Sequence, residues 1–104
     1  MWTALAYDGN WGGLHNAEGY RQKLFFWSQG YDWRKEREPS LIITAKRLDG
    51  DAPDVAVADA ENAFVPSRNA AAMVTGFELP TEGCWEVTAH FRGHALTFVV
   101  LVKP

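Results

Sequence analysis

The sequence has 104 residues, 47% of them hydrophobic and 22% charged, which is typical of one folded domain and not of a disordered chain. Its formal net charge of -3 argues against a general nucleic-acid binder, because such a protein needs a basic face to neutralise phosphates. No stretch approaches the ~20 apolar residues of a membrane helix. We therefore expect a single domain over residues 1–104, without nucleic acid as a partner and without a membrane span.

Short strand-like segments occur from the N-terminus onward. Residues 2–7 are compatible with a first strand, and residues 8–13 predict a glycine-rich loop that contains Trp11. The aromatic segment 23–28 predicts a strand that ends before Gln29-Gly30. Residues 41–46 are rich in β-branched side chains and predict another strand, which ends at the turn signal Asp49-Gly50-Asp51.

Two further strands are predicted in the middle of the chain. Residues 55–58 predict a short edge strand. Residues 73–79 place every second side chain from Met73 on one face and stop at Pro80. The short alanine run 70–72 predicts an entry into that strand, because it is too short for a stable helix.

The C-terminal third has the clearest alternation. Residues 84–91 place Trp85 and every second residue after it on one apolar face, and Arg92-Gly93-His94 predicts a short turn. Residues 96–102 predict the returning strand, with Val99 and Leu101 apolar on the face opposite the core. That second face requires a cover, from this chain or from a partner, so both residues are candidate interface residues.

Six or seven short strands with turn signals at roughly 8–12-residue spacing predict an all-β fold. The arrangement favoured by this pattern is an immunoglobulin-like antiparallel β-sandwich of about seven strands. The C-terminal hairpin fits the end of such a domain.

Four short segments of the sequence are distinctive: Gly19-Tyr20-Arg21-Gln22-Lys23-Leu24, Gly30-Tyr31-Asp32-Trp33, Arg47-Leu48-Asp49 and Gly83-Cys84-Trp85-Glu86-Val87-Thr88. Together they resemble a group of small bacterial proteins of unknown function that includes exported and lipid-anchored members. The similarity covers most of the chain from Glu18 onward, and Gly-Cys-Trp-Glu is its most specific part. The resemblance implies an immunoglobulin-like fold and a periplasmic or cell-surface location, whereas the residues after Met1 are not those expected of a signal peptide. It supplies no catalytic residue and no ligand.

Cys84, the only cysteine, is a candidate nucleophile with His90 or His15 as its base. Cys84 and His90 are six residues apart on one predicted strand, which corresponds to roughly 20 Å and exceeds hydrogen-bond reach. The sequence therefore predicts a structural cysteine and no enzyme activity. A single cysteine also excludes an intramolecular disulfide.

His90 and His94 are weak candidates for metal ligands, because they flank the predicted turn and are expected to approach each other across the hairpin. His15 or Asp8 would have to complete such a site. No tight ligand motif is present, so the alternative is a pair of solvated hairpin histidines. No cofactor is predicted.

Aromatic residues cluster around Gly30 and supply the candidate ligand-binding site. This set comprises Trp11, Trp27, Tyr31 and Trp33. Exposed rings could bind a sugar or the apolar patch of a partner. The alternative is that these rings cap the open end of the core.

The leading interpretation is a non-enzymatic binding or protein-interaction module, with a protein or a glycan as its ligand. Two alternatives stay open. One is a homo-oligomeric structural domain whose interface is the last strand, and the other is a small metal-binding protein that uses the hairpin histidines.

Overall fold

The computed structural model describes residues 1–3, 14–16, 19–65 and 70–102. This part of the chain contains nine strands and no helix, and accordingly no helix in it is long and apolar enough to cross a membrane. The strands are β1 (Trp2–Thr3), β2 (Leu14–Asn16), β3 (Gly19–Trp27), β4 (Ile42–Arg47), β5 (Val55–Val57), β6 (Glu61–Val65), β7 (Ala70–Leu79), β8 (Gly83–Phe91) and β9 (His94–Val102).

The strands form two antiparallel sheets that enclose one hydrophobic core. The first sheet has the order β1-β3-β7-β6, with β2 also paired to β3, and the second has the order β5-β4-β8-β9. Side chains from both sheets belong to the same buried cluster, and the rings of Phe26 on β3 and Phe98 on β9 lie 6.3 Å apart. The predicted all-β sandwich is confirmed.

The core positions of the C-terminal hairpin follow the predicted alternation. The core-facing side of β8 is fully buried at Trp85, Val87 and Ala89. On β9 burial is complete only at Val100 and Val102, while Leu96 and Phe98 are partly buried and pack against the cluster. The last strand therefore closes the core less completely toward the hairpin turn.

A two-residue turn joins β8 to β9. Arg92 has φ 48° and Gly93 has φ 78°, and two consecutive left-handed residues are characteristic of the type I′ turns that match the twist of paired strands. Phe91 pairs with His94. The predicted three-residue turn is thus one residue shorter, and β9 begins at His94.

Two strands in the structure have no counterpart among the predicted segments, namely β2 and β6. The strand predicted at residues 23–28 begins earlier, at Gly19, and the alanine run joins β7 as expected. Of the predicted first strand only Trp2–Thr3 is described, and Trp11 lies outside the described residues.

Candidate functional site

Trp27 ends β3, and the loop after it, which carries Tyr31 and Trp33, lies against the end of the sandwich. Trp27 is buried, with 7% of its surface exposed. The half-buried Tyr31 ring packs edge-on against Phe91, with centroids 5.9 Å apart, and its hydroxyl donates to the backbone oxygen of Glu36 at 3.0 Å. Trp33 keeps 38% of its surface exposed.

The loop that carries Tyr31 and Trp33, residues 28–40, is attached to both sheets. The side-chain amide of Asn62 on β6 donates to the oxygen of Trp33 at 2.9 Å, and its backbone N–H donates to the oxygen of Arg37 at 2.9 Å. Glu36 forms an ion pair with Arg92 in the β8–β9 turn. Tyr31 therefore packs against the core cluster, Trp27 is buried at the end of β3, and Trp33 is the member of the described set that keeps a large exposed surface.

The two hairpin histidines do not meet. His90 pairs with Ala95, and His94 pairs with Phe91. Directly opposed residues in an antiparallel pair point to the same face and successive residues alternate, so His90 and His94 lie on opposite faces of the sheet. The expected approach across the hairpin is wrong. The described parts of the chain also hold no group of three His, Cys, Asp or Glu residues suited to a metal ion.

Cys84 lies at the opposite end of β8 from His90. It pairs with Leu101 on β9, and His90 pairs with Ile42 on β4. The Cys84 thiol is half-buried. The separation agrees with the expected distance along one strand, so no Cys–His pair forms between them.

An exposed apolar row crosses the second sheet on its outer face, from the residue that follows β4, across β8, to β9. The backbone N–H of Leu48 donates to the oxygen of Cys84 at 2.8 Å, and Cys84 pairs with Leu101, so these three residues form one row. Val99 lies on the same face, two residues nearer the turn. Leu48 is 51% exposed, Val99 50% and Leu101 36%.

The middle of that outer face is polar. Thr88 and Thr97 share a hydrogen bond of 3.1 Å between their hydroxyls, and Glu86 stands between Lys46 and Val99 in the pairing of the three strands. The row of Leu48, Cys84 and Leu101 therefore lies at one end of this face, beyond its polar middle.

All nine residues of β9 pair with β8, and within the described residues no strand pairs with its other edge. Cys84 directs its backbone groups toward β4, because its oxygen accepts from Leu48. Its partner Leu101 therefore belongs to the set of β9 residues whose N–H and C=O point away from β8. The outward set is Ala95, Thr97, Val99 and Leu101, the same residues whose side chains lie on the outer face.

The two edges of this sheet are protected very differently. β5, at the opposite edge, is three residues long and is flanked by Pro53, Asp54 and Asp59. Short length, proline and charge are the usual means by which proteins keep strand edges from pairing with other chains. In β9, residues 95–102 contain no charged residue and no proline.

A carboxylate holds the start of β8 against the end of β4. Asp49 Oδ1 accepts hydrogen bonds from the backbone N–H of Cys84 at 3.0 Å and from Nε of Arg47 at 3.2 Å. The Cys84 N–H first, and Arg47 second, lower the pKa of Asp49. Gly83 has φ 126°, and a Cβ at this position would lie 2.7 Å from that carboxylate oxygen. The contact keeps Leu48 in line with Cys84.

We refer to Leu48, Cys84, Val99 and Leu101, together with the outward edge of β9, as the β9 surface. Val99 and Leu101 were recognised from the sequence, but Leu48 was not. Continuation of the β4 alternation through residues 42, 44, 46 and 48 would have placed Leu48 on the outer face. The turn signal that begins at Asp49 indicated instead that the strand had ended before Leu48.

Comparison with protein-family models, curated proteins and solved structures found no match to this chain. The resemblance to small exported bacterial proteins therefore stays a prediction.

Proposed function

We propose that this chain is a non-enzymatic, immunoglobulin-like protein-interaction module that binds its partner through the β9 surface. The observation that carries the proposal is the coincidence of an exposed apolar row with a long strand edge that has no partner in the described residues. A partner strand laid along β9 would form backbone hydrogen bonds with the edge and apolar contacts with Val99 and Leu101, the members of the row that lie on β9.

Both the apolar contacts and the backbone hydrogen bonds of such an interface favour binding. Full burial of a Val or Leu side chain is worth roughly 1.5–3 kcal/mol, and Val99 and Leu101, which lie on β9 itself, keep 50% and 36% of their surface exposed for a partner to cover in part. Backbone groups on an added strand fix its direction and register. The side chains of the added strand then determine specificity, because they must fit against the apolar row.

The strand order supports the immunoglobulin-like part of the proposal. The order β1-β3-β7-β6 facing β5-β4-β8-β9 corresponds to the A-B-E-D and C′-C-F-G sheets of that architecture. In this correspondence β8 and β9 are the final two strands. The bacterial periplasmic or cell-surface location remains part of the proposal and is supported by the resemblance alone.

A glycan-binding platform has less support. Trp27 is buried and the Tyr31 ring lies against Phe91, so these two rings have little surface left to stack on a sugar. The exposed ring of Trp33 already has the guanidinium of Arg34 5.5 Å from its centroid. The protein-interaction version of the module is therefore preferred.

Selection of displayed peptides tests the proposal, with random sequences standing in for the partner. Short random peptides are selected on the wild-type chain, and the binders are measured by fluorescence anisotropy against Val99→Lys and against Ala56→Lys. Ala56 is exposed on β5, at the opposite edge of the same sheet, and provides the matched control. We expect Val99→Lys to weaken binding by at least about tenfold and Ala56→Lys to leave it unchanged. Binders that respond to neither change, or to Ala56→Lys alone, would contradict the proposal.

A further inference from the structure

We propose that the partner of the β9 surface is a second copy of this chain, joined by antiparallel pairing of the two β9 strands about a two-fold axis at Phe98. This inference rests on the proposed function, since it names the occupant of the same surface. It continues the four strands of the second sheet into the corresponding sheet of the copy.

The outward backbone groups select the position of the axis. A two-fold axis perpendicular to the sheet pairs residues symmetrically about its centre and keeps the outer face of both copies on one side. With the axis at Phe98, Ala95 pairs with Leu101 of the partner subunit and Thr97 pairs with Val99 of the partner subunit. Both pairs occur twice, so every outward residue of both strands is used, with about eight hydrogen bonds at two per pair. An axis at Thr97 or Val99 leaves one outward residue of β9 without a β9 partner.

The side chains agree with this register. On the outer face it places a small residue opposite a larger one, Ala95 opposite Leu101 of the partner subunit, and it places two β-branched residues opposite each other at Thr97 and Val99. On the inner face, Phe98 meets the partner's Phe98. Phe98 and Leu96 are only partly buried although they pack against the core. A copy paired along the edge covers their remaining surface and makes the two cores continuous.

The charge pattern also favours a second copy. Residues 95–102 contain no charged side chain, so two identical strands meet without like-charge repulsion. A partner chosen by opposite charge would find no charge along this strand to pair with. The two described strands on either side of residues 4–13, β1 and β2, both pair with β3 in the other sheet, so neither of them extends the β9 edge.

Sedimentation velocity over concentrations up to about 1 mM tests the association. We expect the wild-type chain to dimerise, Thr97→Pro to abolish the dimer and Thr97→Ala to retain it. Both variants lose the hydroxyl that contacts Thr88, but only proline removes the outward N–H. Circular dichroism and thermal melting of each monomer verify that the variants are folded.

A wild-type chain that stays monomeric at all concentrations overturns the second copy as partner, as does equal association of the two Thr97 variants. If such a monomer still binds selected peptides in a Val99-dependent manner, the proposed function survives and its partner is a different chain. If neither association nor Val99-dependent binding is found, both proposals fall.

Disulfide trapping tests the register. Ala95→Cys and Leu101→Cys are made separately in a Cys84→Ser background, which removes the native thiol, and are then mixed under mild oxidation. Directly opposed hydrogen-bonded residues have Cα atoms about 5.5 Å apart, within the disulfide range. We expect the mixture to form a covalent heterodimer and each variant alone to form little, because two copies of residue 95 lie roughly 20 Å apart. Equal cross-linking of the single variants would overturn the Phe98-centred register.

Discussion

The carboxylate of Asp49 accepts the backbone N–H of Cys84 at 3.0 Å and thereby joins the loop after β4 to the first residues of β8. The same oxygen accepts from Nε of Arg47. A loop residue thus sets the position of Cys84, and through it the alignment of Leu48 with Leu101 on the β9 surface. The contact can be tested because its strength depends on the charge of one carboxyl group.

Asp49→Asn should remove an acid-sensitive part of the stability. The pKa of Asp49 is lowered in the folded chain from its ordinary value of 3.8, chiefly by the Cys84 N–H. A lowered folded-state pKa means that the contribution is present above the unfolded pKa and is lost as the pH falls through and below it. We therefore expect the wild-type melting temperature to exceed that of Asp49→Asn at pH 7 and the difference to shrink below about pH 4.

Asp51→Asn is the matched control for this titration, because Asp51 is exposed in the same loop. It should follow the wild-type curve of melting temperature against pH. An Asp49→Asn curve parallel to that of the wild type down to about pH 2 would show that the carboxylate does not act through its charge.

Gly83 and Gly93 should respond unequally to alanine. Both have positive φ: Gly83, at 126°, has a conformation that L-residues rarely adopt, and Gly93, at 78°, has one that costs an L-residue about 1–2 kcal/mol, but a Cβ on Gly93 would meet nothing within 4 Å. On Gly83 it would lie 2.7 Å from Asp49 Oδ1 and 2.8 Å from Nε of Arg47. We expect urea unfolding to show a larger loss for Gly83→Ala. The further change Asp49→Asn should have less effect in that background, whereas additive losses would mean that the Cβ does not disturb the contact.

The C-terminal hairpin could be predicted in detail because the sequence pattern that specifies it lies within the hairpin itself. Alternation over β8 identifies the buried face from Trp85 to Phe91, and glycine at position 93 indicates the turn. Val99 and Leu101 were accordingly placed on the outer face. Their exposure is a property of the same alternation and does not depend on contacts with the rest of the chain.

The elements that were not predicted depend on distant contacts. β6 has an exposed Phe64, and its Asn62 is used to hold the loop of Trp33, so its pattern is not that of a half-buried strand. Phe26 and Trp27 are consecutive in β3 and both buried, which a period of two does not predict. The burial of Trp27 explains why the aromatic set could not be assigned to the surface or the core from sequence alone.

Trp85 should be much more sensitive to substitution than Trp33. Its side chain is fully buried, and its indole Nε1 donates to the oxygen of Thr81 at 3.0 Å. Trp85→Phe loses this hydrogen bond and leaves a cavity, so the free energy of unfolding should fall by about 2 kcal/mol, and Trp85→Ala should lose about 3–5 kcal/mol. Trp33→Phe, at an exposed position, should change it by less than about 1 kcal/mol. Urea unfolding followed by circular dichroism measures all three, and equal losses at the two tryptophans would contradict the assignment of Trp85 to the core.

Tyr31→Phe should separate the hydrogen bond of this ring from its packing. The hydroxyl donates to the oxygen of Glu36, and its removal should lower the free energy of unfolding by about 0.5–1.5 kcal/mol while the edge-on contact with Phe91 remains.

Burial, followed by the charges of Glu36 and Asp32, raises the pKa of Tyr31 above 10.0. The folded chain then holds this proton more tightly than the unfolded chain, so the associated stability is present below pH 10 and is lost as the pH rises through the folded pKa. The stability difference between wild type and Tyr31→Phe should therefore diminish in strongly alkaline solution, where near-ultraviolet absorbance reports phenolate formation. A difference that stays constant across this range would place Tyr31 in a solvated setting and remove it from the closure of the core.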